Sequence, residues 1–481
     1  MDKAEISSTL RTTPPQVSVA LPGSRRTSRA RPGSLRIPGV GSVTHFLFGL
    51  SLFSQGFSVV TVGRHTGVQV CLIFFAICAA LRVSKGRFSN DWRLAALLAV
   101  WVTCLFISVH NAGWHSQSTS IHAMVGFCVS LSIAAVFGLW GDVPRAYDKS
   151  LQRGLVAGAA LSALYGLYQQ GAFRLGLPFA LPPLNNPSFS LITEGHDPGL
   201  RSFALFSEPS IYAAYLIPIA AALLFQAADQ RGLASIRQWL VALLVFAGLL
   251  ASGSFSVCLT LPVVLLLCLF SQRRGFGPFA KAVAVLLSVL VMALFLSSAT
   301  HWASRLNQEL GDRLSDLFQD QSLVTRYGMD LASLKIFLEH PLFGSGVLPD
   351  PGYFYPHIPS WVPDYQAAST LGGGDSLPLV IISGQGAFGF TFFVILLIWG
   401  WRRTRSAPFL RLSLIGALVP MTLQCGNYDL YLIWVVLGLC LAQHTGAAAR
   451  RAPAVHFRDE ARPRAGDFAA RAGIGGVTGA C

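Results

Sequence analysis

The residues best spaced for chemistry stand directly before apolar runs. The stretch Arg201-Ser202-Phe203-Ala204-Leu205-Phe206-Ser207-Glu208-Pro209-Ser210 leads into one of them. Proline suits the first turn of a helix, where its missing N–H would have no partner anyway. That predicts Glu208 and Ser210 at a helix N-terminus, with Arg201 just ahead of it. A guanidinium is a permanently charged planar fork that matches phosphate oxygens in pairs. The chemistry on offer is phosphate binding by Arg201 beside a carboxylate. In the plainer alternative, Arg201 reaches for lipid headgroups and Glu208 caps its helix.

A second group follows in 299–376. Thr325-Arg326-Tyr327 opens a stretch in which Arg326, Asp330 and Ser333 share one helical face, with Lys335 and His340 further along. Arg305 and Arg313 are further cations on the segment before it. A charged face of this kind either binds an anion or is simply solvated. The stretch ends in Glu339-His340-Pro341-Leu342-Phe343-Gly344-Ser345-Gly346, where proline and glycines force a tight turn. Tyr353, Tyr355, Trp361 and Tyr365 come next, as stacking faces for sugars or as packing.

The third group is Gly372-Gly373-Gly374-Asp375-Ser376, before a run containing Gly384, Gly386 and Gly389. Those three glycines match a dinucleotide fingerprint, but no strand precedes them, so they read as close helix packing. Asp375 either reaches into a cavity or caps the following helix. The outer loops hold no Asp-x-Asp pair or His cluster, so neither a metal nor another cofactor is expected.

What positions these residues follows from composition. Only 12% of the chain is Asp, Glu, Lys or Arg and 53% is hydrophobic, with a mean hydropathy of +0.54. Soluble domains carry about 25% charged residues, because their surfaces need them. This is an integral membrane protein. A net charge of +14 would suit nucleic acid in a soluble protein. Here the cations cluster between apolar runs and in the tails, as loops beside anionic lipid do, so nucleic acid is not an expected partner. Cys71, Cys78, Cys104, Cys128, Cys258, Cys268 and Cys440 lie in or beside apolar runs without metal spacing, and read as small core residues.

The fold expected is all-α and polytopic, with roughly twelve spans of about 20 apolar residues each. The runs are 43–61, 66–81, 94–109, 121–140, 155–170, 209–227, 239–252, 255–270, 279–298, 377–399, 410–423 and 430–442. The domain plan is a disordered basic arm over 1–39, spans one to nine over 40–298 with an outer loop at 171–208, a large outer loop at 299–376, spans ten to twelve over 377–443, and a disordered tail over 444–481. Placing the N-terminus inside gathers Arg82, Lys85, Arg87 and Arg93 in one inner loop and Arg145, Lys149 and Arg153 in the next. Arg402, Arg403, Arg405 and Arg411 fall on the same side, and both termini are expected in the cytoplasm. In the large loop, Leu306 to Leu317 and Val324 to Leu338 show helical periodicity, predicting two amphipathic helices over the membrane surface within an ordered cap. The spans hold almost no charge near their centres, which argues against an ion-driven carrier.

Taken in order, these motifs resemble the O-antigen ligase and O-antigen polymerase superfamily of bacterial membrane glycosyltransferases. The resemblance rests on Arg201 to Ser210, the Ser252-Gly253-Ser254 turn, Thr325-Arg326 opening a helix that ends in Pro-Leu-Phe-Gly-Ser-Gly, and the polar motif before Gly386 to Gly389. It implies transfer of a glycan from a polyprenyl-diphosphate carrier to a sugar hydroxyl on the periplasmic face of the inner membrane. Arg201 and Arg326 would hold the diphosphate, and Asp375 or Glu208 would act on the acceptor hydroxyl. Ligase-type members carry a histidine where this chain has Asp375-Ser376, which tilts the reading towards a polymerase making O-antigen or exopolysaccharide. The alternatives are a ligase and a lipid-glycan flippase. Expected partners are membrane lipid, the lipid-linked glycan, and a flippase and chain-length regulator of the same pathway.

Overall fold

The computed structural model describes residues 39–55, 58–62, 66–86, 88, 91–141, 143–178, 202–206, 208–229, 233–271, 321–349, 351–362, 374, 376–423 and 430–449. The described residues from Val40 onward form one compact unit. Among them the helices are α1 Val40–Ser51, α2 Val70–Lys85, α3 Trp92–Asn111, α4 Gly113–Leu139, α5 Arg145–Arg174, α6 Pro209–Asp229, α7 Leu233–Ala251 and α8 Phe255–Ser271. After these come α9 Gln321–Glu339, α10 Pro351–Phe354, α11 Leu377–Arg403, α12 Pro408–Leu423 and α13 Tyr431–Ala449. Among the described residues, Trp92–Asn111, Ser120–Leu139, Pro209–Ala227 and Leu377–Ser406 are long and apolar enough to cross a membrane, and shorter apolar helices accompany them. The expected span at 279–298 and the first amphipathic helix lie outside the described residues.

Two expectations change. The run at 43–61 does not form one span, because α1 ends at Ser51 and β1 Ser58–Val62 pairs antiparallel with β2 Thr66–Gln69. Both strands are rich in β-branched valine and threonine, which suit a pleated surface better than a helix. Arg145, Lys149 and Arg153 are not loop residues but open α5.

Close packing rests on glycine. Where α1 meets α5, a Cβ on Gly154 would overlap the Phe46 carbonyl, and one on Gly158 would meet the Leu50 carbonyl at 2.8 Å. Gly438 of α13 lies against Phe137 and Ala134 of α4 in the same way. Small residues let helix backbones approach, which is what holds helices together where no hydrophobic effect operates between them.

At one end of the bundle, where α1 and α5 begin and α2 ends, Arg82 is fully buried. It pairs with Asp148, donates from Nε to His45 Nε2 at 3.0 Å and lies 4.2 Å from the Phe137 ring centroid. His45 Nδ1 lies 2.6 Å from the Gly41 carbonyl, a pattern satisfied by the neutral ring with its proton on Nδ1. Arg403 and Asp91 form a second ion pair at this same end. Removing one partner of a buried pair strands the other charge, which costs about 3–5 kcal/mol. Asp148→Ala is therefore expected to lower the thermal midpoint of the detergent-extracted protein sharply, and a wild-type midpoint would refute this role.

Candidate functional site

The opposite end of the bundle carries Glu208 and Arg326, two of the residues singled out from the sequence. Pro209 opens α6 as expected. The segment before it is strapped down from two sides. Gln169 Oε1 accepts from the Phe203 and Ala204 amides at 3.3 and 2.7 Å, and its Nε2 donates to the Ala204 carbonyl at 3.0 Å. The Ser202 amide and Gln170 Nε2 both donate to the Ala251 carbonyl, at 3.0 and 2.6 Å. Ala204 is held at φ 48°, a left-handed conformation a non-glycine residue adopts only when its surroundings impose it. The Ser252–Ser254 turn completes the floor, with Gly253 at φ 55° and the Ser254 amide donating to Ser252 Oγ at 3.3 Å. Gln169 and Gln170 were not singled out from the sequence. The available signal was two adjacent amides ending an apolar run.

This strap presents Glu208, half-buried, to α9. Arg326 Nη2 lies 3.7 Å from Glu208 Oε2, and Ser210 Oγ donates to the same oxygen at 2.9 Å. Two motifs far apart in sequence thus meet. A third element closes on them, since a Cβ on Gly374 would meet Ser333 Oγ at 2.7 Å and Asp330 Oδ1 at 2.9 Å. Glycine here lets the chain pass directly over the polar face of α9. Ser333 Oγ is buried and has no hydrogen-bond partner among the described residues. Arg201 and Asp375 lie outside the described residues, as do Arg305 and Arg313. Ser202, Gly374 and Ser376 are buried, and of these Gly374 lies against the polar face of α9.

Lys335 and His340 belong elsewhere. At 1.5 Å rise per residue, His340 lies about 20 Å along the chain axis from Arg326. Lys335 Nζ donates to the His357 carbonyl at 3.3 Å, and His340 Nε2 lies 3.0 Å from the Tyr353 hydroxyl. Tyr353 donates to Glu339 at 2.9 Å and His357 Nε2 lies 3.0 Å from the same carboxylate. The hydrogen bond from Tyr353, then that from His357, holds the Glu339 carboxyl below its ordinary range. Burial first, and Glu339 second, push the Tyr353 hydroxyl up to about 12. Tyr353 and Tyr355 pack on a small core of Met329, Ala332, Ile336, Phe354, Ile358 and Val362. They are part of the cap's packing, whereas Trp361 is exposed beside Tyr327. Among the described residues, no group of three or more His, Cys, Asp or Glu side chains is arranged to hold a metal ion.

The glycines of α11 also differ from expectation. Gly386 takes φ 66° and ψ −167°, so the helix breaks there instead of packing straight. The chain after α9 fills the break. Ser345 and Gly346 amides donate to the carbonyls of Ser383 and Gly384 at 3.1 and 3.2 Å, while Ala387 and Phe388 amides donate to those of Pro341 and Leu342 at 2.8 and 3.3 Å. Backbone groups freed by a break inside an apolar bundle must be satisfied internally, and this loop does so. Ser108 bonds the Gly384 carbonyl, Trp101 Nε1 donates to Gln385 Oε1 at 2.6 Å, and the Val347 amide donates to Ser120 Oγ at 3.0 Å. The Pro-Leu-Phe-Gly-Ser-Gly segment thus clamps α9 to α11.

Residues 240–394 match the family model described as O-Antigen ligase. No curated protein matches this chain. The matched stretch holds the Ser252–Ser254 turn, Arg326, Gly374 and the Gly386 break, while Glu208 precedes it. The match supports the O-antigen ligase and polymerase superfamily and, with the apolar helices, indicates a membrane enzyme of glycosyltransferase type.

Proposed function

We propose that this protein is a polysaccharide polymerase. It moves a glycan repeat unit from a polyprenyl-diphosphate carrier onto a sugar hydroxyl, at the periplasmic face of a bacterial inner membrane with both termini in the cytoplasm. The observation that carries this reading is the meeting of Arg326 and Glu208 at one end of an apolar bundle. The bond from the anomeric carbon to the diphosphate oxygen breaks, and one to the acceptor oxygen forms. Diphosphate leaves as an anion of low basicity, so it needs charge stabilisation more than a strong acid. Arg326, with Arg201, supplies that charge. The acceptor hydroxyl proton passes to a carboxylate, for which Glu208 and Asp375 are the candidates.

The 3.7 Å separation fits this cycle. A partly exposed pair at that distance contributes only about 0–1 kcal/mol, so a diphosphate can draw Arg326 away and leave Glu208 free for the acceptor. Asp375-Ser376, where ligase-type members carry histidine, favours a polymerase. The description of the matched family favours the second reading, a ligase passing finished glycan to a lipid core or protein.

The test is deletion of the gene in its host, followed by analysis of lipid-linked and surface glycans. Single repeat units with no long chains support the polymerase. Long chains accumulating on the carrier lipid support the ligase. Unchanged glycans of both kinds would sink both readings.

A further inference from the structure

Helix α9 is apolar on two faces. Met329, Ala332 and Ile336 are covered by the cap. The other face is exposed among the described residues: Tyr327 is 61% exposed, Leu334 42% and Leu338 69%. These three recur at the spacing of one helical stripe. The stripe does not stop where the helix does. Leu342 is 58% exposed, its carbonyl accepts from the Phe388 amide at 3.3 Å, and Phe343 stacks on Phe388 with ring centroids 5.0 Å apart. Phe388, Ile395 and Ile398 are themselves exposed along one face of α11, a helix long and apolar enough to span the bilayer. One apolar surface therefore runs from the flank of a spanning helix, across the Leu342 junction and along α9.

The charges beside the stripe are turned away from it. On one flank Lys335 and Glu339 are engaged by the cap through His357 and Tyr353. On the other flank Arg326 faces Glu208, and Asp330 and Ser333 face Gly374. At the far end Tyr327 meets Trp361, ring centroids 6.1 Å apart, as an exposed aromatic pair of the sort that sits at headgroup level.

We propose that α9 lies in the bilayer interface with Tyr327, Leu334, Leu338 and Leu342 against lipid, so that the Glu208–Arg326 site opens sideways onto the membrane. The lipid chain of the substrate then enters along this stripe while its phosphates lodge at Arg326, which precedes Tyr327. This rests on the reading of the site as one for a lipid-linked diphosphate. Interfacial helices sink their apolar face about 5–10 Å into the headgroup and acyl boundary. The stripe from Tyr327 to Leu338 is about 16 Å long at 1.5 Å per residue, enough to guide several isoprene units.

The test places a nitroxide on Leu334→Cys and Leu338→Cys in the full chain, reconstituted in vesicles of phosphatidylethanolamine and phosphatidylglycerol. Labelled protein without the added cysteine supplies the background. Ile395→Cys marks lipid and Pro356→Cys, exposed in the cap on the other side of α9, marks water. Accessibility to dissolved oxygen relative to a water-soluble nickel chelate is expected to be several-fold higher at both stripe positions than at Pro356→Cys, with Leu338→Cys close to Ile395→Cys. Chelate access equal to that of Pro356→Cys would mean the stripe faces water and would overturn the proposal. Exclusion of both reagents would mean protein covers the stripe, and would overturn it too. No substrate takes part, so the result stands whether or not the site proves to transfer glycans.

Discussion

Arg326→Ala is expected to lower glycan transfer by about 10²–10³-fold, the usual consequence of removing one charge-stabilising donor from a group-transfer site. The loss should appear in the rate at saturating donor, because the charge on the leaving diphosphate develops as the glycosidic bond breaks. Arg326→Lys should recover part of the rate, since an ammonium supplies charge but not the paired geometry of the guanidinium. Glu208→Gln should also slow transfer while leaving donor binding intact, because it keeps the shape of the side chain and removes its ability to take a proton. Membrane levels of all three should match wild type, since the Arg326–Glu208 pair is partly exposed and contributes at most about 1 kcal/mol. The measurement is transfer from lipid-linked donor in membranes carrying equal amounts of protein. Wild-type rates for Arg326→Ala would remove Arg326 from the chemistry.

Gly386→Ala is expected to be severely damaging. The backbone at φ 66° and ψ −167° belongs to a region occupied almost only by glycine, at a cost of about 1–3 kcal/mol for any other residue. A Cβ there would also overlap the Leu342 carbonyl group, which is backbone and has no flexible end to move aside. The loop at 341–347 would have to leave the break, taking with it the amide partners of Ser383 and Gly384 and the anchor of α9. Both thermal stability and transfer should fall, with transfer lost even at temperatures where the protein stays folded. Gly171→Ala serves as the control, because a Cβ there meets nothing within 4 Å and alanine favours the helix. Equal thermal midpoints for the two variants would show that the break is not what holds α9 in place.

Composition and local spacing were enough for the class and for several local elements. An apolar chain poor in charge has no use for water on most of its surface, so a membrane bundle follows from composition. Pro209 fixed the start of α6, because a first turn tolerates a missing N–H. Helical spacing placed Arg326, Asp330 and Ser333 on one face, and proline with glycine ended α9 on time. Period and turn chemistry act over a few residues, so they can be read from the chain directly.

Which of these elements meet is a matter of long-range packing. Nothing local pairs Arg326 with Glu208 or lays Gly374 over Ser333. Those contacts depend on the Gln169 and Ala251 hydrogen bonds that hold the strap before Glu208, and on the loop that clamps α9 to α11. Lys335 shares α9 with Arg326 and His340 directly follows its last residue, yet the helix carries them about 14 Å and about 20 Å away, into the cap with Glu339 and Tyr353. Gly384 and Gly386 were legible as close packing but not as a break, since a glycine permits either. The choice was made by a loop elsewhere in the chain with amides and carbonyls to match. In the same way the first apolar run gave way to a hairpin once a partner strand was available. Local pattern sets what each segment offers, and the need to satisfy every buried polar group sets which offer is taken.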